Sequence, residues 1–287
     1  MKLDPTDGPG SDSSTDAAHD QVRERSALKW RSGASRERVE KLAVEEPLEI
    51  RLGGRRFTLT MRTPGNDEEL AAGFLFAEGF INDANELGEI RRVRDRKGAP
   101  EPNAIDIILN VPADGLRTRL KRNFVISSSC GVCGKTSIDS IRRRVMPPAD
   151  AARVAPAILL ALAEKLREGQ RVFAATGGLH GAALFDLDGA MLAIREDVGR
   201  HNAVDKLVGY ALTNAMLPLA RHIMMVSGRL SFEIVQKAAA SGVPILAAVS
   251  APSSLAVELA EEIGTTLIGF LRDGSFNIYT RPDRITQ

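Results

Sequence analysis

Cys130 and Cys133 are the only cysteines in the 287-residue chain, set three positions apart in Ser127-Ser128-Ser129-Cys130-Gly131-Val132-Cys133-Gly134-Lys135. The two glycines beside them free the backbone and remove bulk that would screen the sulfurs. Thr136 or Ser137 can cap a helix directly afterwards, with Ile138, Ile141 and Val145 on its buried face. Asp139 lies three positions beyond Thr136, as in a shortened capping box. The thiols then precede the positive end of a helix, with Lys121, Arg122 and Lys135 close in sequence. Such a field lowers a thiol pKa from about 8.5 toward neutrality, and the thiolate is the species that attacks a persulfide or disulfide.

Four kinds of chemistry compete for this pair. Inert thiols belong in apolar runs, whereas these flanks are Ser and Gly. A structural zinc site needs four ligands, and the remaining candidates, His19, His180, His201 and His222, have no ligand-like spacing, so no metal is expected. A thioredoxin-type dithiol would follow the first strand of a βαβ unit, which this position does not fit. A persulfide carrier needs one reactive thiolate on an open loop, with the second thiol optional, and it fits best.

The totals narrow the setting. Apolar residues make up 44% and charged residues 26%, an ordinary soluble composition, and a net charge of +1 gives no argument for nucleic acid. The run Arg91, Arg92, Arg94, Arg96 and Lys97 reads as a solvated face, whereas Arg142, Arg143 and Arg144 lie near the cysteines. No stretch has the roughly 18 consecutive apolar residues of a membrane span, and the N-terminus has no secretory pattern, so a cytoplasmic protein is expected. Two thiols in a reducing compartment are not a disulfide scaffold.

The elements that must position these residues fall into two parts behind a tail. Residues 1–28 are rich in Asp, Ser, Gly and Pro and read as disordered. Residues 29–146 read as a smaller α+β domain: strands over Val39–Ile50 and Arg55–Arg62 around Gly53-Gly54, a helix over Asp67–Phe80, a strand over Ala104–Val111, and the cysteine loop with its helix. Residues 147–287 alternate, which implies a sheet with helices on its faces. A helix over Ala151–Arg167 precedes a strand at Arg171–Ala175 and a hairpin around Asp188-Gly189. Helices over Asn202–Asn214, Phe232–Ala240 and Ser254–Ile263 then separate strands at His222–Val226, Pro244–Val249 and Thr266–Leu271, with Phe276–Thr280 last.

Several segments together resemble the FdhD family. Met61-Arg62-Thr63-Pro64-Gly65 leads into Glu69-Leu70-Ala71-Ala72-Gly73-Phe74-Leu75 and Glu78-Gly79. The cysteine motif follows, then Thr176-Gly177-Gly178-Leu179-His180 and the run from Glu196-Asp197-Val198-Gly199-Arg200-His201 to Lys206. Ser227-Gly228-Arg229, Ser250-Ala251-Pro252-Ser253-Ser254 and Gly269-Phe270 through Tyr279 complete a collinear series over about residues 40–285. The resemblance implies a deaminase-like α/β fold in the C-terminal half, a homodimer, and transfer of sulfur from a cysteine desulfurase to the bis-guanine-dinucleotide form of the molybdenum cofactor, in support of formate dehydrogenase. It implies that Cys130 carries the persulfide, with Cys133 assisting, and that Phe270, Leu271, Arg272, Asp273, Gly274 and Ser275 contact the cofactor.

The residues themselves bear on these implications. A zinc deaminase needs His-x-Glu, and His180-Gly181-Ala182 has Ala in place of the proton-shuttling Glu. Thr176-Gly177-Gly178 resembles a phosphate-binding turn after a strand but lacks the Lys of a P-loop. His180 and His201 read equally as structural or pocket histidines, and Glu196-Asp197 with Arg200-His201 as a site or as a helix start with a local ion pair. Arg272 beside a glycine turn can pair its planar fork with a diphosphate, and Phe270 can offer a ring face. The rival to a sulfur carrier is a non-catalytic cofactor chaperone whose two cysteines are structural.

Overall fold

The computed structural model describes residues 21–111 and 152–286. The cysteine loop, the helix expected after it, Arg142–Arg144 and the boundary at 146 lie outside the described residues. The described residues form three sheets, a two-stranded ribbon, a four-stranded sheet and a six-stranded sheet, so the fold is mixed α/β.

The ribbon pairs β1 (Val22–Arg31) with β2 (Ala34–Ala43), antiparallel throughout. This corrects the expected tail of residues 1–28, because the chain is already a strand at Val22. The ribbon is anchored at its base: the Val44 amide donates to the Gln21 carbonyl at 2.9 Å, and the Gln21 side chain donates to the Pro64 carbonyl at 2.6 Å. The single strand expected over Val39–Ile50 is two strands for the same reason. Val44 is buried where the chain leaves the ribbon and enters the body.

The four-stranded sheet has the order β4–β3–β6–β5, from β3 (Glu46–Leu52), β4 (Arg55–Arg62), β5 (Leu87–Arg94) and β6 (Pro100–Leu109). Helix α1 (Asp67–Ala77) covers it: Leu70, Ala71 and Leu75 meet Leu48, Ile50, Ile105 and Ile107 in one core. Phe57, Phe74 and Phe80 close that core, with Phe57 and Phe80 edge to face at 4.8 Å.

The six-stranded sheet has the order β12–β11–β10–β9–β7–β8. Its strands are β7 (His180–Asp186), β8 (Met191–Asp197), β9 (His222–Val226), β10 (Ile245–Ala248), β11 (Thr266–Arg272) and β12 (Ser275–Ile278). The β9–β10 and β10–β11 pairs are parallel, and β7 runs antiparallel to β9. Period-two alternation assigns each face a layer. Met224, Val226, Leu246 and Leu267 point toward α4 (Arg200–Thr213), α5 (Phe232–Ala240) and α6 (Ser254–Ile263). Ile223, Met225, Ile245 and Ile268 point toward α2 (Pro156–Gly169) through Leu159, Leu162 and Leu166. Burial on both faces explains why these strands are apolar without a break.

Two expected boundaries change. Helix α2 begins at Pro156, because the ring holds Ala155 extended at φ −77°, ψ 145° and Val154 bridges to Ile285. The segment read as a strand at Arg171–Ala175 is a short helix, α3 (Arg171–Thr176). A short apolar run does not distinguish the two by itself. Here Glu196 decides, since its carboxylate accepts from the Val172 and Phe173 amides at 3.0 and 2.8 Å.

The two larger sheets are joined through α1 and α4, which cross in backbone contact. A β-carbon added at Gly73 would lie 1.9 Å from the Asp205 carbonyl oxygen, and one at Gly209 would lie 1.9 Å from that of Glu69. Only glycine permits that approach. Among the described residues, no helix is long and apolar enough to cross a membrane.

Candidate functional site

Three parallel strands, β9, β10 and β11, end on the same side of the sheet, and a cleft of about 650 Å³ opens there beneath α2. Open α/β sheets bind ligands beyond the carboxyl ends of their strands. Ser227 and Val249 follow β9 and β10, while Arg272, Asp273 and Gly274 close β11. The opposite wall comes from Ala163, Glu164 and Arg167 of α2 and from Gln170 just after its end, with Phe173 of α3 at the side.

The turn expected to hold a cofactor therefore borders this cleft. Its backbone is unusual, with Phe270 and Asp273 both at φ +53° and Gly274 at +71°. A bulky aromatic in the left-handed region is an uncommon conformation. It coincides with a shift in the β11–β12 register between Gly269 and Arg272, and the Phe270 amide is held by the Ser250 carbonyl at 3.1 Å. The six residues differ in what they present. Arg272 is exposed, with its guanidinium 5.8 Å from the Phe270 ring centre and its Nε 3.8 Å from Asp273. Leu271 is wholly buried in the core beneath α2, so its side chain serves the fold. Ser275 donates to the Arg272 carbonyl at 3.3 Å and tightens the turn.

The motif around Glu196 divides between the two faces of β8. Glu196 holds α3 in place, and burial pushes its carboxyl above the usual range. Asp197 points the other way and is fully buried. It pairs with Lys206 at 2.8 Å and accepts from the Thr63 and Gly199 amides and the Asn202 side chain. Lys206 also donates to the Thr63 carbonyl at 2.8 Å. These residues form a junction between the end of β4 and the start of α4, which is the local ion pair at a helix start.

His180 and His201 lie on the α4 side of the sheet, away from the cleft. Burial, then the nearby Arg200 charge, holds the His180 imidazole below its usual range. His201 meets Glu233 at 2.8 Å and Ser231 at 3.4 Å through the same ring nitrogen, Nε2, so the three are not arranged as a relay through both nitrogens. The Glu233 carboxyl is lowered chiefly by its bond to His201. Thr176-Gly177-Gly178 follows a helix, not a strand. Gly177 takes φ +70° as its cap, and Thr176 donates to the Val172 carbonyl, so this segment is a helix terminus.

Cys130 and Cys133 are outside the described residues. Among the described residues no three His, Cys, Asp or Glu side chains are grouped as metal ligands. Sequence reasoning did not assign Arg167, Gln170, Phe173 or Ser227 to the site. Only the helical spacing of Ala163 and Arg167 puts these two on one stripe, and nothing in it points toward the strand ends.

Comparison with known proteins adds the remaining finding. Residues 43–286 match the model of the FdhD/NarQ family. A protein named sulfur carrier protein FdhD from Mycolicibacterium paratuberculosis is 54% identical, over 88% of this chain and 95% of its own length. The protein of that name from Streptomyces coelicolor is 51% identical, over 91% and 94%. A crystal structure described as a putative formate dehydrogenase accessory protein from Desulfotalea psychrophila superposes with a TM-score of 0.74 at 28% identity, covering 93% of this chain and all of that one. With matches of this extent along a collinear set of motifs, the chain belongs to the FdhD/NarQ family.

Proposed function

We propose that this protein is a sulfur carrier for formate dehydrogenase, holding a persulfide on Cys130 and delivering it to a molybdenum cofactor bound as cargo. The observation that carries the reading is the match to proteins named sulfur carrier along nearly their whole length, in a chain whose two cysteines sit in one Gly-flanked motif. In loading, the Cys130 thiolate attacks the outer sulfur of a desulfurase persulfide, and the desulfurase cysteine leaves as thiolate. Cys133 assists or protects the loaded sulfur. The protein acts in the cytoplasm as a homodimer, and its partners are a cysteine desulfurase and formate dehydrogenase.

The cargo is the bis-guanine-dinucleotide form of the molybdenum cofactor, and we place its binding at the Phe270–Ser275 turn. Support comes from the cleft beside that turn and from the exposed Arg272 guanidinium at its rim. A planar guanidinium suits a diphosphate, and a glycine in the turn lets the backbone approach closely. We read the six-stranded half as a deaminase-like sheet that lacks deaminase chemistry, with Ala182 where the proton-shuttling Glu would stand.

Replacing Cys130 with Ala should leave the fold intact and abolish activation of formate dehydrogenase, whereas Cys133→Ala should do less damage. Full activation by Cys130→Ala would favour a chaperone with structural cysteines. Arg272→Ala should weaken guanosine diphosphate binding by about 1.5–3 kcal/mol, the size of a charge-assisted hydrogen bond, and leave persulfide loading unchanged. Calorimetric titration beside a loading assay checks both halves, and an unchanged nucleotide affinity would remove the turn from the site.

A further inference from the structure

The β1–β2 ribbon is dressed differently on its two sides. Residues directly opposite in an antiparallel pair share a face, and successive residues alternate between faces. The register therefore puts Arg23, Arg25, Lys29, Arg31, Arg36 and Arg38 on one side, with Glu40 as the one carboxylate beside them. Leu28, Trp30 and Val39 lie on the other. Arg23 pairs with Glu46 of β3, and Arg38 with Glu40. Arg25, Lys29, Arg31 and Arg36 have no carboxylate partner among the described residues.

Neither side is satisfied by the chain itself. Lys29 stands directly opposite Arg36, and like charges so placed destabilise a strand pair. Leu28, Trp30 and Val39 are 70%, 69% and 62% exposed. The ties to the body through Gln21, Arg23 and Ala43 lie at the base of the ribbon, and every residue from Leu28 to Val39 is exposed. A two-stranded ribbon with nothing packed along it is marginal in water, so this one is built to be covered.

The charge pattern selects the occupant. A second copy of the chain could cover the apolar side but would leave the four cations unmatched. An acidic groove on another protein meets both sides, because guanidinium forks pair with carboxylates and a Trp side chain is a strong interface anchor. The root of the ribbon selects among partners. β2 packs against α3, with Ala43 facing Gly178, and Phe173 of α3 borders the cleft. A protein gripped by the ribbon is thus brought beside the cleft, where the acceptor of the cargo has to come.

We propose that the ribbon is a docking arm for the acceptor, cofactor-free formate dehydrogenase, which it engages through an acidic groove of that enzyme. This inference rests on the carrier reading above, and it adds where the acceptor docks and through which residues.

The test measures binding of the full-length chain to cofactor-free formate dehydrogenase by biolayer interferometry at low and high salt. Affinity should fall steeply as salt rises. Lys29→Glu and Trp30→Ala should each weaken binding at least about tenfold. Lys29→Glu sets a carboxylate opposite Arg36 and strengthens the ribbon, so its limited proteolysis should be no faster than in wild type and the loss cannot come from melting. Persulfide loading by the desulfurase should be unchanged in both variants. Equal affinities for wild type and variants, or no binding by a wild-type chain that still loads sulfur, would overturn the docking arm and leave the carrier reading standing. Loss in these variants of desulfurase binding, of RNA binding or of the chain's own dimer would also overturn it, by giving the ribbon another occupant. A wild-type chain that neither takes sulfur from the desulfurase nor binds the apoenzyme would overturn both readings together.

Discussion

Asp197 and Lys206 show what a residue-scale reading can separate once geometry is known. Their pair is buried and fully hydrogen-bonded, and it lies at the junction between β4 and α4. Removing one member leaves the other as an uncompensated charge. Lys206→Met should therefore cost about 3–5 kcal/mol of folding stability, measured as a fall in the urea midpoint at unchanged slope. A loss under about 1 kcal/mol would mean the pair contributes little to the junction. The motif that contains these residues was visible in the sequence as a cluster of acid, base and imidazole. Its division was not, because neighbours on a strand point to opposite faces. Glu196 turns to α3, whereas Asp197 turns to α4. Gln170 was illegible for a related reason: only a folded glycine neighbour shows that its amide has a seat.

At the scale of elements, the α1–α4 crossing is the contact most sensitive to a small change. A β-carbon at Gly73 would meet the Asp205 carbonyl at 1.9 Å, and backbone on a packed helix has little room to shift. Overfilling of this kind costs about 1–3 kcal/mol or more, so Gly73→Ala should lower the melting temperature by several degrees. An unchanged melting curve would show that the helices can separate without loss. The ribbon calls for a different expectation than its composition suggested. Truncation through Ala27 removes the pairing from Val22↔Ala43 to Ala27↔Arg38 and the Gln21 anchor, so it should expose β2 to proteolysis. Periodic elements such as α4, α5 and α6 were readable because each repeats an apolar face over more than two turns. The ribbon was not, since β1 opens on the charged run Arg23–Arg25, leaves Leu28 and Trp30 exposed and draws its order from pairing with β2. Helix α3 was misread because a carboxylate from β8 fixes it, and no local pattern records that.

For the whole molecule, two half-buried histidines should contribute to the loss of stability in acid. His222 is lowered by burial, as is His180, where the Arg200 charge adds to the effect. The unfolded chain takes up these protons near pH 6.5, while the folded chain resists them to lower pH. The unfolded state then binds more protons, so stability should fall as pH drops below that value. Melting temperatures across this range check it, with His180→Gln and His222→Gln each expected to flatten the decline. A decline of the same slope in both variants would place the acid sensitivity elsewhere. Under the proposed function, the strand ends, α2 and the fixed α3 around the cleft are the part that holds the cargo. The central claim is that the chain carries sulfur on one of them. Incubation with a cysteine desulfurase and cysteine, followed by peptide mass spectrometry without reductant, tests it most directly. The account predicts a gain of one sulfur atom on the peptide containing Cys130, retained in Cys133→Ala and absent in Cys130→Ala. An unmodified Cys130 peptide from a desulfurase that loads another acceptor in the same mixture would contradict it.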